Sequence, residues 1–468
     1  MQRPLPSSSA NGAAAPRLAR RLGPFDGAAI VVSNVIGSGI FIVPAFVAQG
    51  VPDARGMLAV WLAGGLLAFA GAMAYAELAT LKPQAGGEYV YLRDAYGPVA
   101  GFLTGWTSFV AGFSGAIAAS AVGLASYLGR FLPAAGDTTP LAQAGLGPLT
   151  LTLSPQSLVA LVAIAGFSTV HVLGLGPGRI VQNLLAVLKV LVLVAFVAFG
   201  FTIGMGSSAH FTGAGAAVQP SSWVLALIPV MFSYSGWNAA AYVAGEIRDP
   251  GRNVPLALGV GTVTVVVIYL LLNMLYVYAL PVTDLAAVEV RVVDAAAERL
   301  FGAAVAAPLA AASVVMIAAS ISAMVLAGPR VYYAMAQDGQ FFARLARVHP
   351  RFRTPAAAIV AQSAWAGVLV LTGTFDQLVT YTGFAVVLFA GVAVTAVFVL
   401  RRRAPQAPRP FRAWGYPTAP FVFAAASAMM VANAIWRDPG PSAAGLFIIA
   451  AGVPVYLLFR RLAVAREN

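Results

Sequence analysis

From Phe25 to Leu462 the sequence is a succession of apolar runs separated by short polar or basic connections. Each run is roughly 17–25 residues long, which is what a helix needs to cross a bilayer. Backbone groups in hydrocarbon must be satisfied within the segment, so such a chain folds as a bundle of transmembrane helices. Composition agrees: 60% of residues are hydrophobic, 9% are charged and the mean hydropathy is +0.84, whereas soluble domains carry about 25% charged residues. No room remains for a large soluble domain.

The runs fall near 25–48, 56–80, 99–128, 155–172, 180–203, 222–246, 255–280, 303–335, 355–374, 378–400, 417–435 and 443–462, about twelve spans in an all-α polytopic membrane protein. The eighth is over-long and projects beyond the bilayer. Residues 82–98 (KPQAGGEYVYLRDAYGP) read as a short amphipathic element at the membrane interface, and Gly176-Pro177-Gly178 as a turn, not a phosphate loop. The Pro/Ser/Ala-rich start reads as a disordered cytoplasmic tail, because the apolar stretch after it is too long and too polar-broken for a cleaved signal.

Charge fixes orientation. With the N-terminus in the cytoplasm, only Arg55, Arg130, Arg291, Arg299 and Arg437 among the basic residues near the spans fall outside, and both termini lie inside. The net charge of +12 is thereby explained by basic loops without nucleic acid, although Arg401, Arg402 and Arg403 suit anionic lipid of the bilayer. There is no cysteine, hence no disulfide and no thiolate metal site.

Two spans are interrupted at mid-depth. The first contains Ile36-Gly37-Ser38-Gly39-Ile40-Phe41 and the sixth Phe232-Ser233-Tyr234-Ser235-Gly236-Trp237-Asn238. Glycine and serine propagate a helix poorly, and freed backbone groups at that depth are tolerated only beside protein or a water-filled cavity. Five spans separate the breaks, so the two broken helices cross in opposite directions, the pattern of an inverted repeat with a binding site where the breaks meet. The organisation expected is a tail (1–24), five spans (25–203), five inverted spans (204–400), and a last pair with a cytoplasmic end (401–468). The half-helix beginning at Ser38, Gly39 and Ile40 presents N–H groups and a positive dipole end to a carboxylate. Carbonyls freed near Phe232 and Ser233 receive an ammonium group, so the pair complements a zwitterion. The plainer reading of Gly37 and Gly39 is close helix packing.

Lys189 lies mid-way along the fifth span and is one of two lysines in the chain. Burying it costs at least about 2.5–3.5 kcal/mol, which marks it as functional. It serves either as a fixed cation in place of bound sodium or as a proton-exchanging group; the structural alternative is a tie to helix-end carbonyls. Glu77, near the inner end of span two, is solvated, loop-bonding or coupling. Glu246, with Arg248, Asp249 and Arg252, reads as a loop network and candidate inner gate. His171, His210 and His349 sit at loop or interface positions without ligand spacing, so no metal is assigned. Trp106, Tyr127, Trp223 and Trp436 suit packing or interfacial belts. Neither a nucleophile–base pair nor a nucleotide motif is present, so the chain reads as no enzyme.

With Glu246, Asn253-Val254-Pro255 and GPRVYYAMAQDGQFF at 328–342, these motifs resemble the amino acid permeases of the amino acid–polyamine–organocation superfamily, in particular bacterial relatives of the L-type amino acid transporter light chains. The resemblance implies a five-plus-five inverted repeat with two further helices, alternating access, an amino acid substrate and no cofactor. By position it implies that Ser38, Gly39 and Ile40 hold the substrate carboxylate. The backbone of Val35, Ile36, Phe232, Ser233 and Ser235 would receive the amino group, with Phe232 the gating aromatic. Lys189 matches the family's span-five lysine and implies sodium-independent proton symport or exchange. Ser235 stands where light chains often have glycine, which disfavours bulky side chains, and the missing cysteine excludes a disulfide-linked heavy chain. A neutral substrate is expected because neither break holds an acid; a cationic amino acid or polyamine is the alternative if Glu77 or another acid reaches the pocket. A channel or receptor is a different class, but channels repeat a pore motif and need no paired breaks.

Overall fold

A computed structural model of the protein describes residues 18, 20–146, 149–212, 218–289, 291–372, 375–437 and 439–467. Among them nine helices are long and apolar enough to cross a membrane, and a pair bent by 44°, Pro24–Val35 with Gly39–Gly50, makes a tenth crossing. Two shorter apolar helices, Pro220–Tyr234 and Ala356–Thr372, complete the bundle.

Local chemistry sets many of the helix starts. Pro24, Pro98, Pro155, Pro220, Pro250 and Pro439 open helices, where the missing N–H costs nothing and the fixed φ suits the first turn. Asp53 caps span two by accepting from Gly56 N at 2.6 Å, and Ser154 and Ser157 cap each other at the start of span four. Span five runs over Leu175–Ile203, so Gly176-Pro177-Gly178 forms its first turn and not a loop. Its apolar side chains Leu184, Leu191 and Phe199 are exposed and face lipid, whereas Lys189 is 1% exposed. Spans two (Ala54–Leu81) and seven (Pro250–Ala279) lie side by side, and the rings of Trp61, Tyr234 and Tyr269 pack between them and span six at 5.0–5.9 Å, Trp61 edge-on to both tyrosines. Span eight continues past Pro329 to Gln337, over-long as its sequence suggests.

Three connections differ from the sequence reading. Residues 1–17 and 19 of the tail lie outside the described residues, but its end is ordered: Leu22 pairs with Ile247 in a parallel bridge, and Arg21 N and Leu22 N both donate to Glu246 O. The loop between spans three and four carries an antiparallel hairpin, Ala142–Leu146 with Leu149–Leu153, where alternating leucine and threonine favour strand. The element between spans two and three is a helix, Glu88–Tyr96, but Tyr89, Val90, Tyr91, Leu92 and Ala95 are buried against spans three, eight and ten. Its apolar face is packed against the bundle. Gly86 and Gly87, at φ +118° and +50°, make the sharp entry that a side chain would resist.

Candidate functional site

The two breaks cross in contact. Helix Pro24–Val35 ends at an extended Ile36-Gly37, and the next helix starts at Ser38 without a side-chain cap. Span six unwinds after Tyr234 through Ser235, Gly236, Trp237 and Asn238, and resumes for one turn at Ala239–Tyr242. Gly236 sits at φ +99°, and a Cβ there would lie 2.8 Å from the Cβ of Asn34. A Cβ on Gly39 would lie 2.8 Å from the Cα of Ser233. Glycine is therefore required on both sides for the backbones to approach.

The freed carbonyls have partners from other spans. The Tyr269 hydroxyl of span seven lies 2.7 Å from Val35 O and 3.1 Å from Ser233 O, tying the two breaks together. Lys189 Nζ donates to Ile36 O at 2.5 Å and Ser33 O at 3.3 Å. A cation at the carbonyl end of a helix complements its dipole, so Lys189 is bonded as a helix-end tie. Phe232 O accepts from Ser235 N at 2.9 Å. Each of these oxygens keeps a second lone pair. Phe232 is 5% exposed and packs toward Gly383 of span ten. The side chain of Ser38 lies outside the described residues.

Beside the crossing is a cavity of about 80 Å³ whose lining includes Asn34, Ser235 and Gly236 from the breaks, Thr104 and Thr107 from span three, and Glu88. Of the substrate-site residues expected from sequence, Ser235 lines this cavity, whereas Val35, Ile36, Gly39, Ile40, Phe232 and Ser233 are not among its lining. Glu88 was not foreseen as a site residue. Its Oε1 accepts from the Tyr75 hydroxyl at 2.6 Å and from Asn238 Nδ2 at 2.8 Å, and Asn238 also donates to the Tyr242 hydroxyl at 3.0 Å. Burial pushes the Glu88 carboxyl above its usual range, opposed by hydrogen bonds from Tyr75, Tyr242 and Asn238 that favour the charged form.

Residues 22–459 match the family model described as amino acid permease. The chain belongs to the amino acid permease family. Among its relatives, the serine/threonine exchanger SteT of Bacillus subtilis (strain 168) is 30% identical over 429 residues, covering 91% of this chain and 94% of the relative. The human b(0,+)-type amino acid transporter 1 is 29% identical over 402 residues, 84% of this chain and 79% of its own. The mouse large neutral amino acids transporter small subunit 2 is 28% identical over 463 residues, 97% and 83% respectively. The protein is a multi-pass membrane transporter of amino acids and not an enzyme.

Elsewhere the permease sorts the remaining candidates. Glu77 is 2% exposed and bonded by Arg401 at 2.8 and 2.6 Å and by Ala413 N at 2.8 Å, with Arg409 Nε 3.4 Å away. It is a loop anchor, neither solvated nor in the cavity. Glu246 pairs with Arg330 of span eight at 2.9 Å, both 1% exposed, so the network proposed on the span-six loop reaches across the bundle. His171 is buried, with Nε2 2.8 Å from Ser322 Oγ, and is not at an interface. Trp106 and Trp223 spend their N–H groups on Ile448 O and Gly56 O, while Trp436 is 84% exposed, as an interfacial belt requires. Among the described residues no group of three His, Asp or Glu is arranged to hold a metal. The sequence signal for Glu88 was the pair Tyr89 and Tyr91 just after it, on a segment otherwise polar enough to read as solvated.

Proposed function

We propose that this permease moves a neutral amino acid across the cell membrane by alternating access without sodium, as an exchanger or with a proton, both termini being cytoplasmic. The observation that carries the reading is Lys189: its ammonium occupies the carbonyl end of the first half-helix, the position where a transported cation would otherwise be needed. The substrate carboxylate meets the N–H groups of Ser38, Gly39 and Ile40. Its amino group shares the carbonyls of Val35, Ile36, Phe232, Ser233 and Ser235 through their remaining lone pairs, and Phe232 closes over it. Residues 25–203 and 204–400 act as the two inverted repeats, and the Glu246–Arg330 pair holds the inner side closed.

Relatives support a neutral substrate through their names, one an exchanger of serine and threonine and one a transporter of large neutral amino acids. A small substrate is supported by the cavity volume and by Ser235. Glu88 in the cavity lining favours a second reading, a cationic amino acid, whose side chain would pair with this carboxylate. Purified protein in liposomes, tested for uptake of labelled neutral and cationic amino acids under sodium, proton or counter-substrate gradients, distinguishes these readings. Accumulation driven by sodium alone overturns the role given to Lys189.

A further inference from the structure

We infer that the cavity beside the crossing is a side-chain subsite built to read a hydroxyl group, with Thr104, Thr107, Asn34 and Glu88 as its polar wall. The inference rests on the amino acid reading above and assigns these residues a part in it. The Thr104 and Thr107 hydroxyls and Asn34 Oδ1 are buried and have no protein partner, their residues being 2%, 2% and 6% exposed. All three residues line the same cavity as Glu88. A threonine inside a helix ordinarily bonds back to the carbonyl one turn earlier, as Thr169 and Thr202 do here, but Thr104 and Thr107 do not. Span three also widens into a π-helical turn at Ser108–Gly112, directly after Thr107 and on the cavity wall. Such turns cluster at functional sites.

The chemistry of this wall selects its ligand. The threonine hydroxyls donate or accept, Asn34 Oδ1 only accepts, and Glu88 accepts through Oε1 from Tyr75 and Asn238, so the complement is a group that does both: an aliphatic hydroxyl. Among the described residues no lysine, arginine or histidine forms an ion pair with Glu88, so the wall offers no cation to an acidic side chain. The volume of about 80 Å³ corresponds to roughly five to eight water-sized positions, which takes a hydroxymethyl or hydroxyethyl group and excludes a lysine-length one. A methyl group of the same size leaves these buried groups unpaired, and sites built to bond a substrate hydroxyl reject the analogue that lacks it.

The isosteric pair threonine and valine tests this. Purified full-length protein in liposomes loaded with unlabelled alanine is assayed for exchange of labelled alanine, with threonine, valine, serine, aspartate and lysine as competitors. Wild type is expected to prefer threonine over valine by about tenfold or more, less than a dry site would give because water also pairs these groups. Thr107→Val, or Thr104→Val if the first does not fold, is expected to bring the ratio to within about threefold by weakening threonine and sparing valine. Glu88→Gln is expected to weaken threonine. Equal competition by threonine and valine in wild type, a ratio unmoved by the threonine variants, or competition by lysine stronger than by threonine overturns the hydroxyl subsite while leaving amino acid exchange standing. Absence both of exchange and of proton-driven uptake for every amino acid tested overturns the transport reading itself.

Discussion

Replacing Lys189 by methionine keeps most of the unbranched side chain and removes the ammonium, and with it the bonds to Ile36 O at 2.5 Å and Ser33 O at 3.3 Å. A hydrogen bond to a charged group contributes about 1.5–3 kcal/mol; with the longer bond at the low end, the tie amounts to about 3–4.5 kcal/mol. Against this stands the cost of an intramembrane lysine, about 2.5–3.5 kcal/mol. The two nearly cancel, so Lys189→Met is expected to fold and to melt in detergent within a few degrees of the wild type. Transport behaves differently, because the tie holds the end of the half-helix that frames the site. If only about 1.4 kcal/mol of it is spent on positioning, substrate affinity falls tenfold. The expected result is a folded variant whose exchange of labelled amino acid is slowed tenfold or more, and Lys189→Arg, which keeps the charge but cannot lose it, is expected to retain exchange where a fixed cation suffices. A methionine variant that exchanges at the wild-type rate refutes the reasoning, since the tie would then do nothing for the site.

Gly39→Ala places a methyl 2.8 Å from the backbone of Ser233; overpacking of this kind costs about 1–3 kcal/mol, so exchange is expected to fall sharply. Gly259→Ala, whose Cβ meets only the flexible end of Met73 at 3.4 Å, is expected to exchange normally, and equal behaviour of the two in the same uptake assay contradicts the crossing of the breaks. Removing one member of the buried Glu246–Arg330 pair leaves an unpaired charge and costs about 3–5 kcal/mol. Arg330→Met is therefore expected to melt well below the wild type, and Arg330→Met with Glu246→Gln to recover part of that loss; a thermal shift assay on the purified variants reads both.

What the sequence made legible was whatever depends on one span at a time. The apolar runs, the bend at Gly37–Ser38 and the unwinding at Ser235–Asn238 follow from local propensity and length, and Lys189 stands out because its burial is costly by itself. What it hid were relations between distant segments. Tyr269 looks like one more aromatic of an apolar span until its hydroxyl is found between the carbonyls of Val35 and Ser233. Arg330 completes Glu246 from two spans away. Glu88 looks like a loop carboxylate because the segment around it is polar enough to be solvated; only the turn at Gly86 and Gly87 carries it against the bundle, to Tyr75 and Asn238. His171 likewise lay at a span end in the sequence, and its contact with Ser322 shows that this end is enclosed by span eight.

The central claim is that two crossed breaks hold an amino acid while Lys189 supplies the cation. It is tested most directly by exchange of labelled amino acid in liposomes, measured side by side in sodium and in choline medium for wild type and Lys189→Met. The account predicts equal wild-type exchange in the two media and loss of exchange in the variant. Wild-type exchange that requires sodium contradicts it.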